Sequence, residues 1–350
     1  MQYQLRKQIA GQARSARHGV KIAISLLEKF GYNSSGRTYT IADPNEAYIL
    51  AVVNGKHYAA VRVPDNKVAV IPNYYTLTDI DMNDTVNFLV SPDLITYAEE
   101  QGWYNSADGD FNFRLAYASD GSLKHPVNIG RMWRGVNILS GKDYQYNDSF
   151  PTFFDPGKPV EVKTFMNLLR DHYEGTDLSY IHLKADTPHH EEGTICATHT
   201  QYGLVAHLRP DMPVEIGAVL WIAMRRPCTQ SFIPWYAGIS VIPNGFARYD
   251  YLWAEKNHKS PEEGTWDRVP VHSYFFFKDY ADFVDKNYAF RQKEALKKAQ
   301  KTEDKYLEKQ QKFEKQLLKL KERNPQRYQE KLNEITARAT AKTIKNSLTK

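Results

Sequence analysis

Two cysteines are the strongest candidate nucleophiles in this sequence of 350 residues. Cys196 lies in the strand-like run 194–201. In a strand, the side chain of His199 would point away from the Cys196 thiol. Because a reactive cysteine needs exposure and an electropositive setting, Cys196 is interpreted as a buried structural thiol. Cys228 follows two arginines and a proline, which is a better electrostatic setting, but the sequence identifies no base beside it.

Histidines and glutamates are concentrated in the middle of the chain, at His172, His182, His189, His190, Glu191, Glu192 and His199. Neighbouring side chains of a strand point to opposite faces, so His189 and His190 cannot chelate one ion from regular structure. The cysteines also lack the CxxC spacing of a zinc knuckle. With Pro188 and Gly193 on either side, this segment is predicted to be a polar loop, and neither a metal site nor a cofactor is predicted.

The motifs of several common enzyme families are missing from the sequence. It contains no GxSxG elbow, no HExxH, no P-loop and no GxGxxG. A hydrolase needs a nucleophile, a base within hydrogen-bond reach and an oxyanion hole. Any such site must therefore be built from residues outside these motifs.

The basic charge of the chain is concentrated near its C-terminal end. The whole sequence has 46 basic and 41 acidic side chains, of which residues 291–350 hold 18 and 8. Clustered Lys and Arg gain affinity for nucleic acid by releasing counterions, but here acids are interspersed and no nucleic-acid module accompanies them. A solvated helix face is favoured, and no nucleic-acid partner is predicted.

Membrane and targeting signals are not evident in the sequence. No apolar run is long enough to cross a bilayer, and the first residues lack the apolar core of a secretory signal. The compartment stays open, with the cytoplasm as the default expectation.

The first half of the chain is predicted to contain a helix followed by an antiparallel meander. An apolar stripe at helical spacing ends at Gly31 and consists of Val20, Ala23, Ile24, Leu27 and Phe30. The strands predicted next are Thr38–Ile41, Ala47–Val53, Lys56–Val63 and Lys67–Ile71. Asn54-Gly55 predicts a type I′ turn, since both central residues of that turn need positive φ.

The second half is predicted to form short helices, a second set of strands and a helical tail. Helices are predicted over 92–101, 113–118 and 162–173, whereas 127–139 is left unassigned. The strands are predicted at 194–201, 202–208, 217–224 and 236–242. Beyond residue 290, apolar positions spaced by three and four are interrupted at Asn324-Pro325, which favours a helical hairpin packed on the globular body over a long coiled coil.

Four segments together carry a resemblance to a known family. They are GVKIAISLLEKFGY, IADPNEAYILAVVNGKHYAAVRVPDNKVAVIPN, NFLVSPDLITYAEEQGWY and LRPDMPVEIGAVLWIAMRRPCTQSFIPWYAG. In these segments the chain closely resembles the PepD-type cysteine dipeptidases, the family that includes the secernins. The resemblance runs in order from residue 14 to residue 290.

The resemblance implies an α+β fold of the N-terminal-nucleophile hydrolase type, with two antiparallel sheets stacked between helical layers. It also implies a dipeptide substrate and a nucleophilic Cys at the mature N-terminus. The free α-amine of that Cys acts as the base, since its unperturbed pKa near 8 lets it accept a proton at neutral pH.

The sequence departs from the family pattern at the nucleophile. Neither Met1 nor Gln2 is a Cys, and an internal Cys has no free α-amine. The chain is therefore expected to be the C-terminal portion of the family domain, with a sheet that is incomplete at the N-terminus. Its predicted organisation is a body over residues 1–290 and a basic helical tail over residues 291–350.

Two site residues can be carried over from the family. Asn73 matches the position where related amidases place an Asn near the oxyanion, although from the residues alone it is a turn residue. Arg131 resembles an Arg that organises the surroundings of the nucleophile. Arg134 is its rival because both flank Trp133, and an Arg stem that covers Trp133 is the structural alternative.

Three hypotheses follow for the function. In the first, the chain belongs to a cysteine-type dipeptidase and is inactive alone because it lacks the nucleophile. In the second, it is one subunit of a dipeptidase that is completed by a separate N-terminal piece. The third hypothesis is a non-catalytic binding or scaffold protein with a basic tail. The expected partners are a dipeptide substrate and either a complementing chain or a second copy.

Overall fold

The computed structural model describes residues 2–179, 189, 193–246 and 273–348. The chain divides into two compact units, Met1–Val160 and Glu161–Lys350. None of the helices in the described ranges is both long and apolar enough to pass through a bilayer.

The first unit begins with two helices, α1 (Gln2–Gln12) and α2 (Ala16–Phe30). The Ser15 side chain caps α2 by accepting a hydrogen bond from the His18 amide, and Gly31 ends the helix at φ 67°. The predicted apolar stripe is largely confirmed, because Val20, Ala23 and Leu27 are buried whereas Phe30 is exposed.

The first sheet has four antiparallel strands in the order β1-β2-β3-β4. The strands are β1 (Arg37–Ala42), β2 (Ala47–Val52), β3 (Tyr58–Arg62) and β4 (Phe88–Val90). Alternate residues of β2 and β3 lie in two separate apolar clusters, one of which includes residues of α2. The sheet is therefore buried on both faces, as successive side chains of a strand point to opposite sides.

Two predictions for this sheet are wrong in detail. Residues 67–71 form only an isolated bridge between Val68 and Phe154, and the fourth strand is instead Phe88–Val90, which pairs with β3. The turn after β2 is not type I′, because Gly55 has positive φ whereas Asn54 does not. Gly55 exchanges backbone hydrogen bonds with Tyr32 in a longer loop, so an additional tertiary contact sets this connection.

Short helices complete the first unit. They are α3 (Leu94–Glu100), the 3₁₀ turn Ser106–Asp108, α4 (Phe113–Tyr117), α5 (Asp120–Leu123) and α6 (Pro126–Ser140). Helix α6 covers the segment that the sequence pattern left unassigned. It has Pro126 in its first turn and ends at Gly141 in the left-handed conformation, which are favourable residues at both ends.

The second unit contains a sheet of three antiparallel strands in the order β5-β6-β7. After α7 (Val162–Leu168) the elements are β5 (Tyr202–Leu208), α8 (Val214–Gly217), β6 (Ala218–Met224), the 3₁₀ turn Pro227–Thr229 and β7 (Ile233–Tyr236). The strand predicted at 194–201 is not formed by its described residues. The last predicted strand lies earlier, at β7, because the chain turns directly after Tyr236.

Three helices follow residue 272: α9 (Tyr274–Asp285), α10 (Tyr288–Arg323) and α11 (Pro325–Leu348). The break between α10 and α11 falls at Asn324-Pro325 as predicted, and the two helices contact each other. Leu317 of α10 and Leu332 of α11 are fully buried in one cluster with Trp221 of β6. The helical tail is thus confirmed, while the boundary at residue 290 and the N-terminal-nucleophile sandwich stay predictions.

Two glutamates of α10 are buried and paired with arginines. Glu303 and Glu314 are almost fully buried. Arg170 donates to both carboxylate oxygens of Glu303, and Arg209 donates to both oxygens of Glu314 at 2.7 Å. A buried charge is tolerated when it is paired and hydrogen-bonded. These two ion pairs therefore hold α10 against the parts of the second unit that carry Arg170 and Arg209.

Candidate functional site

A polar cleft of about 770 Å³ lies in the first unit. Three chain segments form its wall: the start of β1, the extended segment before Tyr75 and the chain between α4 and α5. The lining residues used below are Gly36, Arg37, Asn73, Tyr74, Tyr75 and Ser122.

Close packing of Gly36 against Tyr75 shapes one wall of this cleft. Gly36 has φ 107°, a conformation that side-chain-bearing residues rarely adopt. A Cβ atom there would overlap the Tyr75 hydroxyl and lie 2.8 Å from its Cζ. That hydroxyl donates a hydrogen bond to the carbonyl of Val52 at 2.6 Å, so Tyr75 is fixed on the end of β2.

Asn73 lines the cleft and is exposed, as an oxyanion donor must be before substrate binds. Its backbone carbonyl accepts a hydrogen bond from Nδ2 of Asn128 in α6 at 3.4 Å. The same Nδ2 donates to the carbonyl of Ser122 at 2.8 Å. A buried side chain of α6 therefore holds the backbone of Asn73, while the Asn73 side chain stays at the surface of the cleft.

Arg131 lies one helical turn after Asn128 and is half-buried, as is Arg134. Residues three apart on a helix share a face, so Arg131 follows Asn128 on the side of α6 that meets Asn73. The described lining of the cleft includes Asn73 but neither arginine. The structure thus brings α6 to Asn73 without deciding between Arg131 and Arg134.

Sequence reasoning missed the cationic and hydroxyl groups of the cleft. Arg37 is exposed at the cleft and supplies a permanent positive charge. Burial raises the pKa of Tyr74, so its phenol is a hydrogen-bond donor at neutral pH, whereas the Tyr75 hydroxyl already donates to the Val52 carbonyl. These groups suit a small ligand with a carboxylate. The only signal in the sequence that could have indicated them was their position near the ends of predicted strands.

The second unit contains a different cluster, formed by His172, His189, Cys196 and Cys228. All four side chains are buried, and one potential ligand atom from each lies within 4.8 Å of the others. His189 Nε2 is 3.1 Å from His172 Nε2, 3.5 Å from Cys228 Sγ and 3.9 Å from Cys196 Sγ. The fold thus gathers four residues of irregular spacing that the sequence analysis did not combine. His182, His190, Glu191 and Glu192 lie outside the described residues, so the polar loop stays a prediction.

Charged and aromatic groups surround both histidines. His172 Nδ1 lies 2.8 Å from a carboxylate oxygen of Glu174, and His189 Nδ1 lies 3.2 Å from one of Asp285. The Tyr288 ring meets both imidazoles edge to face. The orientation of each imidazole is therefore fixed from outside the cluster.

The protonation of the cluster follows from its mutual contacts. Burial alone would raise the pKa of Cys196, but hydrogen bonds with Cys228, His172 and His189 bring it well below its usual value. Burial and the charge of Cys196 raise the pKa of Cys228. Burial opposes the charged form of His172, yet Cys196 and Glu174 raise its pKa to about 10. Without a bound cation, the cluster therefore favours a thiolate beside an imidazolium.

Cys228, His189 and Asp285 stand in the order nucleophile, base and orienting carboxylate. Yet the exposed fractions of Cys196 and Cys228 are 0% and 1%. A peptide carbonyl cannot approach a sulfur that has no surface, so this arrangement is not a hydrolytic site as it stands. The prediction that Cys196 is a buried thiol is confirmed.

Comparison with known proteins gives the family. The model of peptidase family C69 matches residues 5–301, so the chain belongs to this family. A probable dipeptidase of Salmonella dublin is 31% identical over 232 residues, covering 65% of this chain and 52% of the relative. Probable dipeptidase B of Streptococcus pyogenes serotype M1 is 25% identical over 244 residues, covering 66% and 48%.

A third relative, probable dipeptidase A of Streptococcus pyogenes serotype M18, is 27% identical over 256 residues, covering 67% of this chain and 50% of the relative. The chain thus spans about half the length of the curated relatives it matches. The family is thus one of peptidases, and these three relatives are named as probable dipeptidases.

Proposed function

We propose that this chain forms the substrate-supporting part of a cysteine-type dipeptidase and that the cleft at Asn73 receives the dipeptide. The observation that carries the proposal is the exposed Asn73 in a polar cleft, with its backbone held by Asn128, in a chain of family C69. The thiol is supplied by polypeptide that this chain does not contain, in the same protein or a separate one.

The proposed chemistry is amide hydrolysis through a thioester. The supplied Cys attacks the peptide carbonyl, its α-amine takes the thiol proton and passes it to the leaving amine, and water then releases the acyl group. The Asn73 amide donates to the oxyanion as negative charge develops on it. One such donor contributes about 2.7–4 kcal/mol of transition-state stabilisation.

Arg37 and Arg131 have separate proposed roles. Arg37, exposed in the cleft, binds the carboxylate of the dipeptide, because a guanidinium pairs with a carboxylate through two parallel hydrogen bonds. Arg131 is a positioning residue on the α6 face that meets Asn73, and it orders the surroundings of the incoming nucleophile.

The edge of the first sheet supports a complementing segment. Among the described strands β1 pairs only with β2, so its other edge has unpaired backbone groups that recruit an added strand. A groove of about 590 Å³ follows all of β1 and is lined on its other side by α1. A strand added there would lie beside Arg37, which also lines the cleft.

The test compares the chain alone with the chain supplemented by a family-type N-terminal segment that begins with Cys. Dipeptide hydrolysis is followed by release of the free amino acids. We expect no turnover by the chain alone and turnover after supplementation. Turnover by the chain alone would overturn the proposal and direct attention to Cys196 or Cys228.

The role of Asn73 is tested in the supplemented protein. Asn73→Ala is expected to lower kcat by about 10²–10³ with little change in KM, because the oxyanion forms only in the transition state. Asn83→Ala, at another exposed asparagine of the same unit, is the matched control and should leave kcat unchanged. Equal kcat values in the two variants would refute the oxyanion role.

A further inference from the structure

We propose that His172, His189, Cys196 and Cys228 form a closed tetrahedral site for one structural zinc ion. This site is formed by residues of the second unit and serves that unit rather than the hydrolysis reaction. It requires no activity of the chain and can be tested independently of the proposed function.

Distances within the cluster fit a tetrahedral site. With Zn–N near 2.0–2.1 Å and Zn–S near 2.3 Å, neighbouring ligand atoms of a tetrahedron lie about 3.3–3.8 Å apart. The three separations from His189 Nε2 are 3.1, 3.5 and 3.9 Å, and all four atoms lie within 4.8 Å of one another. The separations from His189 Nε2 are within a few tenths of an ångström of the tetrahedral values, and closing the widest separation in the cluster requires a shift of no more than about 1 Å.

Hydrogen bonding outside the cluster presents the two Nε2 atoms as ligands. Each Nδ1 faces a carboxylate, that of Glu174 for His172 and that of Asp285 for His189. An Nδ1–H that donates to a carboxylate leaves the Nε2 lone pair of a neutral imidazole free to bind a metal, which is the usual arrangement at histidine ligands. Two such lone pairs 3.1 Å apart repel each other unless a proton or a cation lies between them.

Charge and ligand type indicate the metal. Two thiolates and two neutral imidazoles around a divalent ion give a neutral group, which suits four side chains that are no more than 3% exposed. Mixed sulfur and nitrogen ligands select zinc over the hard cations magnesium and calcium. With four protein ligands and no open position, the site is of the structural type.

The ligands connect irregular parts of the second unit. His172 follows α7, Cys196 precedes β5, and Cys228 lies in the 3₁₀ turn between β6 and β7. Tyr173, next to His172, has φ 66°, a left-handed conformation that is uncommon for a tyrosine. One ion would therefore fix connections that regular backbone hydrogen bonding does not fix.

The first experiment measures metal in the full chain, purified under reducing conditions without chelator or metal-affinity resin. Elemental analysis is expected to give one zinc per chain. Replacement by Co²⁺ should give the visible bands of tetrahedral cobalt and a near-ultraviolet thiolate-to-cobalt charge-transfer band. Protein that holds no zinc and takes up no Co²⁺ under these conditions would overturn the proposal.

Variants assign the ligands. Cys196→Ser and Cys228→Ser should each weaken the charge-transfer band and lower the zinc content, whereas His207→Gln, a histidine on β5 outside the cluster, should retain both. Glu174→Gln keeps all four ligands and should weaken zinc binding by about 10–100-fold in chelator competition, because the carboxylate that it replaces faces His172 Nδ1 and accepts from the His172 backbone amide. Cobalt spectra identical to wild type in both serine variants would place the metal elsewhere and refute the assignment.

Discussion

Replacing Gly36 by alanine tests how tightly the wall of the cleft is packed. The new methyl group must displace the Tyr75 hydroxyl, whose hydrogen bond to the Val52 carbonyl is buried. Forcing a residue other than glycine to φ 107° costs about 1–3 kcal/mol. Losing the Tyr75 bond and leaving a buried carbonyl unsatisfied costs about 1–3 kcal/mol more. Gly36→Ala should therefore lower the free energy of unfolding by about 2–6 kcal/mol.

The matched control is Gly109→Ala. Gly109 has φ 126°, and a Cβ there meets nothing within 4 Å, so this variant carries the backbone strain without the clash. It should cost only about 1–3 kcal/mol. Both variants are measured by urea unfolding of the full chain, followed by near-ultraviolet circular dichroism. The double variant Gly36→Ala/Tyr75→Phe should cost less than the sum of its single changes, because the Tyr75 bond is lost only once.

Two results would refute this reasoning. The first is a Gly36→Ala variant no less stable than Gly109→Ala, which would mean that Tyr75 moves aside at no cost. The second is strict additivity in the double variant, which would mean that the hydroxyl and the methyl group do not compete for the same space.

Two further predictions concern charge. Glu303→Gln should lower the free energy of unfolding, measured in urea, by about 3–5 kcal/mol, because it leaves Arg170 charged and buried without its ion-pair partner. The control Glu330→Gln, in an exposed ion pair, should cost less than about 1 kcal/mol. Equal costs in the two variants would contradict the argument. Burial opposes the charged form of Asp43, but hydrogen bonds from three backbone amides, including that of Ala16, hold its pKa below its usual value. The folded protein thus favours the carboxylate, so wild type should be more stable than Asp43→Asn at neutral pH, and this advantage should disappear as pH falls below about 4. Urea midpoints measured from pH 7 to pH 3 test this, and an advantage that does not change with pH would refute it.

The parts of the fold that local chemistry decides could be predicted from the sequence. The apolar stripe of α2 ends at Gly31, and the break between α10 and α11 falls at Pro325. Asp43, in the connection between β1 and β2, accepts hydrogen bonds from the Asn45 and Glu46 amides. In each case residues within a few positions satisfy or interrupt backbone hydrogen bonding, which leaves a signal in the sequence.

Strand pairing was predicted less well, because it depends on competition between distant segments. Residues 67–71 have a strand-like composition, but Phe88–Val90 takes the position beside β3, and Val68 pairs with Phe154 instead. β-propensity measures only how well a residue fits a half-buried sheet surface. It does not determine which of two suitable segments is the neighbour.

The sequence by itself determined the family, the helical tail and the order of most elements. Its resemblance to the family indicated Asn73 as a candidate oxyanion donor, which stays a prediction. Only the tertiary structure decided that Arg37 shares a cleft with Asn73 and that His172, His189, Cys196 and Cys228 meet in one buried cluster. The physical reason is that periodicity and turn chemistry act over a few residues. The cleft and the cluster join side chains far apart in the chain, whose approach depends on how sheets and helices pack.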